Sequence, residues 1–126
     1  MPNAANLKVL ARARALSIEV HRAFQNLHVR VNPELKSQFL RSIASIPRNI
    51  AEGCGRSSPL QFIQFVDYAI GSANEADECL AQITGLSLVS IHNQRRWHNE
   101  IAEIRMMLYG LRRHIKHKSN SLAPDL

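Results

Sequence analysis

Apolar residues recur along this chain at steps of three and four, the spacing that lines one face of an α-helix. The first run is Val9, Ala13, Leu16, Val20, Ala23, Leu27 and Val31, and it predicts a helix over about residues 5–30. A weaker stripe, Ala11, Ala15, Ile18 and Val29, lies on roughly the opposite side. A helix that is apolar on two sides touches more than one neighbour, which points to contact with another subunit. Leu35, Phe39, Ile43, Ile46 and Ile50 form the second run and predict a helix over about 33–53. Asn32 is placed to cap its free N–H groups, Pro33 suits the first turn, and Glu34 favours the positive helix end. Pro47 falls inside this run. It has no N–H for the carbonyl of Ile43 and its ring crowds that turn, so a kink or a loosened turn is expected, not an end. Gly53 is the expected stop, because a left-handed terminal residue carries no Cβ penalty when it is glycine.

A third helix is predicted over about 59–84, opened by Ser58, Pro59 and Gln61 in a capping box. Phe62, Val66, Ala69, Ala73, Ala76, Leu80 and Ile83 step four-three throughout, the cleanest seam in the chain. Its centre is small: Ala69, Gly71, Ser72, Ala73, Ala76. Glycine in mid-helix costs roughly 1 kcal/mol against alanine, so a close helix approach is expected at Gly71. A loop around 85–93 follows, with Leu86, Leu88, Val89 and Ile91 expected to close the end of the core. The fourth helix, about 94–117, carries Trp97, Ile101, Ile104, Leu108, Leu111 and Ile115 on one face. Residues 119–126 are expected to fray. Four amphipathic helices with short connections predict one all-α domain over residues 1–126, an antiparallel up-down four-helix bundle.

Composition agrees with this pattern. Glycine and proline number only five each in 126 residues, which disfavours a turn-rich β fold. No apolar run reaches the roughly 18 residues of a membrane span, so no membrane role is expected. The first residues lack the charged-then-apolar layout of a signal peptide. Cys54 and Cys79 match no metal or redox spacing, and a reduced cytoplasmic setting is the simplest expectation.

Charge adds something the apolar pattern does not. Residues 1–56 hold nine Lys/Arg against three acids, residues 57–94 hold four acids and no Lys/Arg, and residues 95–126 hold seven Lys/Arg against three acids. A basic surface attracts nucleic acid or acidic partners, although a bundle with one acidic helix beside basic ones accounts for the same numbers. The nucleic-acid candidates are Lys8, Arg12, Arg22 and Arg30 on the first helix. On the fourth they are Arg95, Arg96, Arg105, Arg112, Arg113, Lys116 and Lys118. Aromatic residues hardly interleave with them, so backbone contact without base stacking is the expected mode.

Ser45-Ile46-Pro47-Arg48-Asn49-Ile50-Ala51-Glu52-Gly53, followed by Arg56 and by Ala69-Ile70-Gly71-Ser72 with Glu75, resembles the four helix bundle protein family. That family is also called the 23S ribosomal RNA intervening-sequence protein family. It is distantly similar to the accessory proteins of diversity-generating retroelements. The resemblance covers nearly the whole chain. It implies a four-helix protomer, a ring-shaped homopentamer, no catalytic activity and an association with nucleic acid. Its motif positions are Ser45, Pro47, Asn49, Glu52, Gly53, Gly71, Ser72 and Glu75, which read as structural residues. The short first connection and Cys54 at the motif's variable position depart from the pattern without disturbing the fold.

Catalytic chemistry finds little support. Asn49 and Glu52 share a helical face, and Glu52 is placed either to accept from N–H groups at the start of the third helix or to pair with Arg56. Glu75 is placed to bond a neighbouring helix or subunit. No second acid, nucleophile–base set or Gly-rich phosphate loop accompanies them. His114 and His117 are three apart, but structural metal sites need four ligands and no Cys or acid joins them. His92 and His98 read as surface residues. The expectation is a non-enzymatic protein without cofactor or metal. Its partners are copies of itself, and RNA or DNA; the alternative is a structural or adaptor ring that binds a protein.

Overall fold

The computed structural model describes residue 4 and residues 7–26, 32–86 and 88–122. They form four helices: α1 (Lys8–Asn26), α2 (Pro33–Cys54), α3 (Pro59–Gly85) and α4 (Ile91–Leu122), with no strand among the described residues. The sequence expectation for α1 over 5–30 is corrected at its start, since Leu7 is described outside the helix; residues 5–6, Leu27, Val29, Arg30, Val31 and the last four residues of the tail lie outside the described residues.

Each helix packs on the next, and α4 returns to α1. Cross-helix bonds set the directions. Arg12 bonds Glu100 while Glu19 bonds Arg96, so α1 and α4 run opposite ways. Ser45 meets Ser72 while Gly53 faces Phe62, which makes α2 and α3 antiparallel. Asp67 with Arg112, and Asp77 with His98, do the same for α3 and α4. The interior is filled by one apolar face of every helix. Trp97, Phe39 and Phe24 meet at one end, with centroids 5.8 to 6.1 Å apart, and Phe62 fills the other. Fully burying a side chain of this kind stabilises the fold by about 1.5–3 kcal/mol.

The helix starts obey local chemistry. Asn32 Oδ1 accepts from the Glu34 N–H at 2.9 Å, and Ser58 Oγ accepts from the Gln61 N–H at 3.1 Å. α2 runs unbroken through Pro47, which is buried.

Several expectations are corrected. α2 ends at Cys54, not at Gly53, and its cap Gly55 has φ −84° and ψ −4°, which is not left-handed. The reason for Gly53 is space. A Cβ there would stand 2.9 Å from the Phe62 ring and 3.0 Å from the Phe65 Cβ. Gly71 shows the reverse: it is exposed, and a Cβ there meets nothing within 4 Å. The close approach of α2 and α3 is at Gly53, whereas Ala69, Ala73 and Ala76 are the fully buried small residues of α3.

α4 begins three residues before Gln94, because Ser90 caps it: its Oγ accepts from the Asn93 N–H at 3.2 Å. It also continues through residues 119–122, where fraying was expected. Early helix formation turns Ile91 outward at 61 % exposure, and Leu86 is 60 % exposed, so neither closes the core. Val89 does, with Leu88 half-buried beside it.

Candidate nucleic-acid interface

Trp97 is fully buried, and an indole N–H taken out of water needs an acceptor. Glu19 supplies it: Trp97 Nε1 donates to Oε2 at 2.8 Å. Arg96 grips the same carboxylate from outside, Nε to Oε2 at 2.8 Å and Nη2 to Oε1 at 2.7 Å. The Arg96 bond, reinforced by Trp97, holds the Glu19 carboxyl below its usual range against the opposing effect of burial. One helical span further along the α1–α4 seam, Arg12 forks onto Glu100 at 2.7 and 3.1 Å and lies 3.8 Å from Glu103. The Arg12 bond likewise lowers the Glu100 carboxyl.

The α3–α4 seam repeats the device. His98 Nδ1 lies 2.9 Å from Asp77, and Arg105 Nη1 lies 3.6 Å from the other oxygen of Asp77. Arg105 also donates to Asn74 Oδ1 at 3.2 Å, and Arg112 Nε donates to Asp67 at 2.8 Å. His98 is therefore a seam residue as well as a surface one. A cleft of about 550 Å³ along this seam carries both signs of charge, with Asp77 and Glu78 facing Arg95 and Arg105.

These seams sort the sequence-predicted candidates. Arg12, Arg96, Arg105 and Arg112 each hold a carboxylate of the bundle. Lys118 is engaged as well, and Arg30 lies outside the described residues. Lys8, Arg22, Arg95, Arg113 and Lys116 are exposed and in no ion pair among the described residues. The structure does not gather all eleven into one patch.

It does gather a set the sequence reading passed over. Between α1 and α2 runs a groove of about 460 Å³ lined by His21, Pro33, Lys36, Ser37, Leu40, Arg41, Ala44 and Arg48. No acid lines it. Lys36 and Arg41 have no carboxylate three or four residues away on their own helix, a signal that was present in the sequence. Arg14 continues the positive face, close enough to Cys54 on α2 to act on its thiol, although burial dominates and pushes that thiol up.

The motif residues converge on the α2–α3 seam. Ser45 Oγ and Ser72 Oγ are 2.8 Å apart, and Asn49 Nδ2 donates to the Ser45 carbonyl and hydroxyl oxygens, both at 2.9 Å. Glu52 pairs with Arg56 and not with the start of α3, and the Arg56 guanidinium lies 4.7 Å over the Phe65 ring. Glu75 is exposed without a bond among the described residues. Among those residues no group of three or more His, Cys, Asp or Glu is placed to hold a metal, and no helix is long and apolar enough to cross a membrane.

Four antiparallel helices, ion-paired along two seams and polar-bonded along a third, define a charged helical-bundle protein. The chain belongs to the 23S rRNA-intervening sequence protein family, whose pattern matches residues 5–110. Its fold is similar to the crystal structure of a protein with unknown function from the S23 ribosomal protein family of Bacteroides thetaiotaomicron. The two share 23% identity and a TM-score of 0.75, over 83% of this chain and 95% of the other. A comparison with curated proteins gives no match.

Proposed function

We propose that this is a non-enzymatic, cytoplasmic protein that assembles with copies of itself into a ring of about five and binds nucleic-acid backbone through its unpaired cations. The ring comes from the family resemblance, with closure expected from symmetry. The outward stripe of Ala11, Ala15 and Ile18 on α1 supports a subunit contact, Ile18 being 52% exposed.

One observation carries the nucleic-acid reading: Glu19, Glu100 and Asp67 are neutralised along the α4 seams, while the α1–α2 groove is lined by Lys36, Arg41 and Arg48 and by no acid. Such a face releases counterions when it meets phosphates. Affinity is then expected to fall with salt, with a log–log slope near −0.9 per contacted phosphate on duplex DNA and about −0.7 on a single strand. Anisotropy titrations of labelled RNA and duplex DNA at two salt concentrations test it. Absence of binding at low salt overturns the reading and leaves the protein-adaptor alternative. The exposed Met106 and Tyr109 on α4 favour that alternative, since they offer a partner protein an apolar contact.

A further inference from the structure

From the α1–α2 groove we infer a seat for one strand of RNA, with His21 reading the ribose 2′-hydroxyl. This deepens the nucleic-acid reading and rests on it. Three features of the groove select the ligand.

The first is its cross-section. At about 100° per residue, Pro33, Leu40 and Ala44 form the floor on α2, Lys36 stands on one rim, and Arg41 and Arg48 stand in a row on the other. An apolar floor between cationic rims fits a chain whose sugars are less polar than its phosphates. Helices pack with axes about 8–10 Å apart, so the furrow between them takes a single backbone and not both strands of a duplex.

The second is spacing. Arg41 and Arg48 are two turns apart, about 10.5 Å along the helix at 1.5 Å per residue. A stacked strand advances about 3.4 Å per nucleotide, so the two guanidiniums reach phosphates about three nucleotides apart. Acids bound that row at both ends: Glu34, exposed two turns before Arg41, and Glu52, one turn after Arg48 and held by Arg56, so the strand is seated between them.

The third is His21. Its Nδ1 lies 2.6 Å from the Ser17 carbonyl oxygen, which can only accept, so Nδ1 carries the proton. In the neutral ring Nε2 is then the lone-pair nitrogen. No described protein group engages it, and the residue lines the groove. A lone pair beside a strand accepts from a hydroxyl. RNA has that donor on every ribose and DNA has none.

The test uses a labelled oligouridylate and an oligodeoxyuridylate of the same length, which differ only in the 2′-hydroxyl. Binding is read by anisotropy at two salt concentrations. Three variants are compared with the parent: Arg41→Glu with Arg48→Glu in the groove, Arg113→Glu with Lys116→Glu at the end of α4, and His21→Phe. Thermal melts confirm that each is folded. The groove pair is expected to lower RNA affinity by at least about tenfold and to flatten the salt slope by about 1.4, two contacts at about 0.7 each. The α4 pair, with the same change in net charge, should do neither. The parent should prefer RNA over DNA, and His21→Phe should erase that preference while DNA binding stays. If the α4 pair loses binding and the groove pair keeps it, the seat is wrong but the protein still binds nucleic acid. If both pairs lose binding equally, general charge and not the groove is responsible. If the RNA preference is absent or survives His21→Phe, the role of His21 is overturned. If the parent binds neither strand, the underlying reading fails with the groove.

Discussion

Two glycines of this chain look alike in sequence and differ in physics. Gly53 has the Phe62 and Phe65 side chains where its Cβ would go, and both belong to the first turns of α3. Gly53→Ala is expected to overpack that contact and cost about 1–3 kcal/mol. Gly71 faces open space in the middle of α3, so Gly71→Ala is expected to stabilise by about 0.5–1 kcal/mol through reduced backbone freedom. Chemical denaturation of the two variants beside the parent checks this; equal effects would remove the assignment of the close approach, and a gain at Gly53 with a cost at Gly71 would reverse it. A motif of residue types cannot make this distinction. Mid-helix position suggested packing at Gly71 and helix-end position suggested a left-handed cap at Gly53. Only the three-dimensional path of α3 across α2 shows which glycine is crowded.

At the scale of elements, the apolar period carried the helices. Phe39, Ile43, Ile46 and Ile50 on α2, and the four-three run from Phe62 to Ile83 on α3, are buried as spaced. Caps at Asn32 and Ser58 were legible because a polar residue precedes a proline there. Ser90 was not, since Ile91, Leu88 and Val89 together resembled a core-closing loop. The ion pairs were least legible. Glu19 and Arg96 lie 77 residues apart, and no local spacing connects them.

That α1–α4 seam makes stability depend on acid. Glu19 and Glu100 have carboxyls held below the usual range by Arg96 and Arg12 respectively. Their contribution is therefore complete above the unfolded carboxyl value of about 4.3 and is lost as pH falls through the lower folded value. Glu19→Gln should melt below the parent at neutral pH, and the gap should close as pH drops below about 4. A gap that stays constant down to acid pH would remove Glu19 from the seam's electrostatics and leave only its bond to Trp97.

For the whole molecule, the outward Ala11, Ala15 and Ile18 are the feature a lone bundle leaves unexplained. Light scattering is expected to give about five copies of the 14.2 kDa chain, the number carried by the family resemblance. A clean monomer at micromolar concentration would refute the ring.

The sorting of charge between seams and faces also makes the potential around the bundle uneven. Lys36, Arg41 and Arg48 stand on the α1–α2 side, while Glu75 and Glu78 stand exposed on α3, the helix diagonal to α1, with no ion pair among the described residues. The acid-free groove and the exposed acids of α3 therefore differ in local potential. Under the proposed strand binding, the protein would turn towards a polyanion before contact, with the groove foremost. Rotation of this kind raises the frequency of productive encounters and is screened beyond a Debye length of about 8 Å at physiological ionic strength. If the proposed binding holds, added salt would slow arrival at the strand as well as weaken the contacts made there.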